Sequence, residues 1–133
     1  MSRDVAPLTK PEKQPSICII EDDPDIAHLV GRVAGQTGLR VLISTTAIAA
    51  LELVATERPH LVIADVNLPG LRGPELMEKL RANGVLCPVL FISGDASLET
   101  IDTSLRIAKA LFLPKPFTAG ELREAISSAL AQR

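Results

Sequence analysis

Five polar side chains stand at or just past the ends of short apolar runs. Glu21 and Asp22 follow "ICII", Asp65 follows "LVIA", Ser93 closes "PVLFIS", and Lys115 lies two residues beyond "ALFL". Adjacent carboxylates repel: at an effective dielectric near 20, two such charges about 5 Å apart cost on the order of 3 kcal/mol. An ionised Asp65 directly after a buried run is unfavourable too, unless it is paired or liganded. A hard divalent cation answers both problems. Mg2+ keeps several waters, takes few protein oxygens and suits clustered carboxylates, with Mn2+ as the alternative ion. A carboxylate beside such an ion can act as a nucleophile and accept a phosphoryl group as an aspartyl-phosphate. Lys115 would then offer a point charge to one phosphoryl oxygen, and the Ser93 hydroxyl a donor to another. Taken singly, each residue has a plainer role: "EDDPD" capping a helix, Asp65 opening the "NLPG" turn, Ser93 capping a helix, Lys115 solvated in a loop.

These residues can meet only if the chain folds to bring the ends of its apolar runs together. There are five such runs: "ICII" (17–20), "RVLIS" (40–44), "LVIA" (61–64), "PVLFIS" (88–93) and "ALFL" (110–113). Three are continuously apolar, the pattern of strands covered on both faces in a parallel sheet. Helical patterns lie between and after them. Ile26, Leu29, Val30 and Val33 share a face, as do Leu76, Met77 and Leu80, and Leu122, Ala125, Ile126, Ala129 and Leu130. Asp23 before Pro24 suits a helix N-cap and first position, Gly38 and Gly84 suit C-terminal caps, and Thr118 with Glu121 forms a capping box. Repeated strand and helix at this spacing predicts an α/β fold, a (βα)5 doubly wound parallel sheet. Parallel strands joined by right-handed crossovers put their carboxyl ends on one edge, where ligands bind. The acids of the first and third strands, Ser93 of the fourth and Lys115 after the fifth therefore share one rim, while "STT" after the second supplies no charge.

The bulk composition fits one ordinary globular domain. The chain has 133 residues, 47% hydrophobic and 23% charged, with three Phe and neither Trp nor Tyr, which leaves little for stacking on nucleic-acid bases. A net charge of -2 gives no basic field to draw it to nucleic acid or to an anionic membrane. Residues 1–16, with Pro7, Pro11 and Pro15, are expected to be a flexible leader, and the domain to span 17–133. Cys18 and Cys87, isolated in apolar surroundings, read as buried, reduced thiols and point to the cytoplasm. No apolar run approaches a membrane span or a secretory signal.

The stretches "IIEDDPD", "LVIADVNLPGLRGPELM", "VLFISGD" and "LPKPFTAGELREAI" resemble, in this order, the receiver domain of two-component response regulators, the chemotaxis regulator among them. The resemblance runs from Ile17 to Leu130. It implies a flavodoxin-like sheet of order 2-1-3-4-5 and a phosphorylation-activated switch rather than an enzyme acting on other substrates. It implies Asp65 as phospho-acceptor, taking its phosphoryl group from a histidine kinase or histidine phosphotransfer protein. Asp22 is implied as a direct metal ligand, Glu21 as a water-mediated one, and Asn67 as the donor of a backbone carbonyl. Ser93 and Lys115 match the switch hydroxyl and lysine, Phe112 the aromatic switch position, and Pro116 a cis-proline. Asn67 and Asp95 flank the phosphate site and are expected to tune its lifetime. The signal is expected to emerge on the face of the fourth helix, fifth strand and fifth helix, toward an output domain, a protein partner or a phosphorylation-dependent second copy.

Two departures from that pattern bear on the switch. Ala108 stands where the family usually has the glycine that ends the fourth helix, so that helix is expected to run longer or end differently, which affects the placing of Phe112. Pro114 removes a backbone donor from the fifth strand, which an edge strand tolerates. His60 reads as surface polarity, and His28 lies away from the rim. Two other functions remain open on the residues. An aspartate-nucleophile phosphatase of the haloacid dehalogenase type wants a second Asp where Asn67 stands. A non-phosphorylated interaction module would keep the fold and lose the metal.

Overall fold

A computed structural model describes residues 14–132. Most of the segment expected to be a leader lies outside them, but Ser16 already belongs to the first strand. The strands are β1 (Ser16–Ile20), β2 (Arg40–Ser44), β3 (Leu61–Asp65), β4 (Val89–Ser93) and β5 (Ala110–Pro114). The helices are α1 (Pro24–Gly35), α2 (Ala47–Glu57), α3 (Gly73–Ala82), α4 (Leu98–Leu105) and α5 (Ala119–Leu130). All strand pairs are parallel, in the order β2-β1-β3-β4-β5. β1, β3 and β4 are the central strands and are buried throughout, whereas the equally apolar "ALFL" of β5 lies at an edge. β2 and β5 form the edges and are partly exposed.

Alternation along the strands divides the core in two. Ile17, Ile19, Leu61, Ile63, Leu90 and Ile92 pack on one face with α1 and α5, through Val30, Val33, Leu122 and Ile126. Cys18, Ile20, Val62, Ala64, Val89 and Phe91 pack on the other with Ala50, Val54, Leu76, Met77 and Leu80 of α2 and α3. Each face excludes water from the sheet, so the polar side chains at the strand ends emerge only at the rim.

The helix boundaries follow their local chemistry. Asp23 caps α1, its side chain accepting from the backbone N–H of Asp25 and Ile26. Thr118 and Glu121 form the reciprocal capping box of α5. Gly84, at φ +86°, follows the α3 cap Asn83; Gly38, at φ +81°, lies two residues beyond the α1 cap Gln36. α4 does not run longer for want of a glycine: it stops at Leu105, and Lys109 at φ 59° takes the left-handed turn into β5. Leu29, grouped with the core face of α1, is instead 38% exposed. Cys18 and Cys87 are both free thiols, but only Cys18 is fully buried; Cys87 precedes β4 and is half-buried. Among the described residues no helix is long and apolar enough to cross a membrane.

Candidate functional site

The carboxyl ends of β1 and β3 are neighbours in the sheet, and their acids meet there. Glu21 continues β1, its N–H bonded to the Ser44 carbonyl at 3.1 Å, and its side chain is wholly buried. One carboxylate oxygen accepts from the Asp23 N–H at 3.1 Å; the other lies 3.0 Å from Lys115 Nζ. Asp22 is exposed at the mouth of the cleft. Asp65, the last residue of β3, is 6% exposed. Its Oδ1 accepts from the Asn67 N–H at 3.0 Å, and its Oδ2 lies 3.2 Å from Lys115 Nζ. Glu21, Asp22 and Asp65 each present a carboxylate oxygen, and these oxygens lie within 4.8 Å of one another.

The loop from β3 to α3 closes tightly against Asp65. Gly73 N–H donates to the Val66 carbonyl at 2.8 Å, and a Cβ on Gly73 would lie 2.5 Å from the Asp65 carbonyl oxygen, closer than atoms can approach. Only glycine lets the start of α3 pass so near the end of β3. Lys115 is held by the end of β4: its N–H donates to the Ser93 carbonyl at 2.7 Å, and the Lys115–Pro116 bond is cis.

Charge and burial compete at this site. Burial pushes the Glu21 pKa up, against the Asp23 N–H and the Lys115 ammonium, which favour its ionised form. Burial works to lower that of Lys115, but its hydrogen bond to Glu21 and the charges of Asp65 and Glu21 prevail and leave it raised. An all-oxygen set with one buried, one nearly buried and one exposed carboxylate fits Mg2+ at a site still open to water.

Ser93 is fully buried at the end of β4, between Asp65 and Lys115 in sheet order. Its Oγ accepts from the Asp95 N–H at 3.0 Å and from Asn67 Nδ2 at 3.5 Å. The Asp95 carboxylate is engaged with α4: Oδ1 accepts from the Ser97 N–H at 3.0 Å and Oδ2 from Thr100 Oγ1 at 2.7 Å. Phe112 is half-buried on β5, in register with Phe91 and packed against the core face that carries α2 and α3. His28 is exposed on α1. His60 lies at the opposite edge of the sheet, its N–H on the Ser16 carbonyl at 2.7 Å and its Nδ1 buried without a partner, so it is not plain surface.

Sequence reasoning passed over Gly73 and Thr100. Gly-Pro at 73–74 was the available signal for the first, and the hydroxyls at 97, 100 and 104, spaced along one helix face, for the second. Beside Lys115, Leu29 opens on an apolar groove of about 450 Å³ lined also by Ile26, Gly94, Pro116 and Phe117.

The family model of the response regulator receiver domain matches residues 17–127. The chain is similar to the nitrogen assimilation regulatory protein NtrX of Azorhizobium caulinodans, 33% identical over 108 residues, covering 80% of this chain and 24% of that protein. To sporulation initiation phosphotransferase F of Bacillus subtilis it is 27% identical over 114 residues, covering 86% and 92%. Curated relatives thus differ in length, and the chain spans about a quarter of NtrX. Among solved structures, the CheY-like response regulator receiver domain protein of Methanospirillum hungatei superposes with a TM-score of 0.81 at 30% identity, covering 90% of this chain and 96% of that one.

Proposed function

We propose, from the premise that this chain belongs to the response regulator receiver domain family, that Asp65 is its phospho-acceptor. Receiver domains are phosphorylation switches of two-component signalling and not classical enzymes; they bind Mg2+ at an acidic pocket and take phosphate from histidine kinases. The observation that carries the assignment is the position of Asp65: nearly buried at the end of a central strand, with Lys115 on one oxygen and carboxylate oxygens of Glu21 and Asp22 within 4.8 Å of one of its own.

In this reading an Asp65 carboxylate oxygen attacks the phosphorus of a donor phosphohistidine. The new O–P bond forms as the P–N bond breaks, and the departing imidazole nitrogen takes up a proton. Asp65 and Asp22 would hold Mg2+ directly, Glu21 through water, and Asn67 through its backbone carbonyl. The ion, when bound, offsets charge on the carboxylates and on the phosphoryl oxygens. Lys115 already keeps Glu21 and Asp65 together and stands ready to pair with a phosphoryl oxygen. Ser93 keeps a hydroxyl proton free to donate to another, since both of its hydrogen bonds here are ones it accepts. The apolar groove at Ile26, Leu29, Pro116 and Phe117 adjoins the acceptor and would seat the donor protein, a histidine kinase or histidine phosphotransfer protein.

Phosphorylation adds about 1.5 to 2 negative charges at Asp65. Ser93 and the loop after it would close on them, and Phe112 would turn into the space released. Leu98, 87% exposed, and Leu105, 49% exposed, supply an apolar surface on α4 for an output domain, a protein partner or a second copy. Asn67 and Asp95, on either side of Ser93, would govern how readily water reaches the phosphoryl group. Incubation with acetyl phosphate, with and without Mg2+, tests the reading: phosphorylation should require the ion and vanish on chelation, and labelling of equal extent without it contradicts the proposed site.

A further inference from the structure

Helix α4 is held to the sheet in a way unlike its neighbours. α3 buries Leu76, Met77 and Leu80, whereas the buried residues of α4 are Thr100 and Ser104, with Leu98 and Leu105 turned outward. A helix fixed by so little apolar area depends on its polar contacts for position. Those contacts converge on Asp95. Its backbone N–H binds the Ser93 hydroxyl at 3.0 Å, and its carboxylate binds the Thr100 hydroxyl at 2.7 Å and the Ser97 N–H at 3.0 Å. Thr100 is 4% exposed; its Oγ1 donates to Asp95 while accepting from Ser97 Oγ at 3.0 Å. Ser104 Oγ in turn donates to the Thr100 carbonyl at 2.8 Å.

We propose that Thr100 is the positioning residue that couples α4 to the Ser93 hydroxyl through Asp95. If Asp95 moves with Ser93 and α4 stays behind, the Thr100 hydroxyl is left buried without an acceptor, which is unfavourable. The low-cost motion takes the first turn of α4 along. Asp95 is the lever between a backbone bond on one side and a side-chain bond on the other, and Thr100 is where the helix is gripped. This extends the reading of Ser93 as the phosphoryl-binding hydroxyl and relies on it for its use in signalling, but the mechanical tie is present without phosphorylation.

The test is a double-mutant cycle read by amide hydrogen exchange over residues 98–105. Thr100→Val keeps the shape and removes the hydroxyl; it should lower protection of α4 about threefold to tenfold, and Thr100→Ser should restore it. Ser93→Ala should alter α4 exchange in the parent protein and have little further effect in the Thr100→Val background, a non-additive outcome. Asp95→Ala cuts the same link at an exposed residue and should give the same result should Thr100→Val fold poorly. An unchanged Ser93→Ala effect in either background overturns the proposal. A final arm adds acetyl phosphate and Mg2+: phosphorylated Thr100→Val should keep its changes near Gly94 and lose those in α4, and α4 changes of parental size overturn the coupling. Absence of phosphorylation in the parent protein instead defeats the function proposed for Asp65 and leaves the cycle to decide the tie.

Discussion

Lys115 Nζ lies 3.2 Å from Asp65 Oδ2, although β4 separates their strands. The same ammonium reaches the wholly buried Glu21 at 3.0 Å, so one cation from the edge of the sheet holds two acids at its centre. The repulsion between Glu21 and Asp65 is thereby offset in part inside the protein, while one ammonium against the three carboxylates of Glu21, Asp22 and Asp65 still leaves the site negative and suited to a cation.

Removing that cation exposes its contribution. Lys115→Ala leaves the buried Glu21 carboxylate with the Asp23 N–H but without its cation; because the lysine side chain is 19% exposed, the cost falls below that of a fully buried pair, at about 1 to 3 kcal/mol. Urea denaturation at neutral pH in metal-free buffer measures it, and Mg2+ should recover part of the loss. A midpoint equal to that of the parent protein would mean that the bridge adds nothing to the fold.

Gly73 and Gly120 make a matched pair with opposite outcomes. Gly73→Ala drives a methyl group into the Asp65 carbonyl oxygen, 2.5 Å away, and should destabilise by about 1 to 3 kcal/mol while weakening Mg2+ binding. Gly120→Ala in the first turn of α5 meets nothing nearer than Thr118 Oγ1 at 3.8 Å and should stabilise by up to about 1 kcal/mol without touching the site. Thermal melts together with Mg2+ titration separate the two; equal effects would remove the case for close approach at Asp65.

Burial, aided by a nearby Cys87 charge, pushes the Cys18 thiol from 9.0 to about 12. The raised value means that between those limits the folded protein holds a proton that the unfolded chain has released, so stability is full below about pH 9 and falls as pH rises toward 12. The loss is on the order of 4 kcal/mol. Denaturation midpoints across that range should decline less steeply in Cys18→Ala. Parallel declines in the two proteins would assign the alkaline limb elsewhere.

Much of this was legible in the sequence because its physical causes are local. Apolar runs pointed to β1, β3 and β4 as strands covered on both faces, but "ALFL" of β5 is as apolar and lies at a partly exposed edge, so the pattern marked the sheet without ranking its strands. The acids stood out because they interrupt those runs. The left-handed turns at Arg58 and Lys109 were hidden, for neither carries a glycine to announce the conformation. "STT" seemed merely uncharged, yet Thr46 caps α2. Thr100 was hidden for a similar reason: a hydroxyl reads as surface until a partner from another segment appears, and its partner Asp95 became visible only with the fold.

The most direct measurement is the site of phosphorylation. The protein is treated with acetyl phosphate and Mg2+, the modified residue is mapped by peptide mass spectrometry, and Asp65→Asn is carried in parallel. A single phosphoryl group is expected on Asp65 in the parent protein and none in the variant. Modification of the variant to the same extent, or a phosphoryl group mapped to another residue, would contradict it.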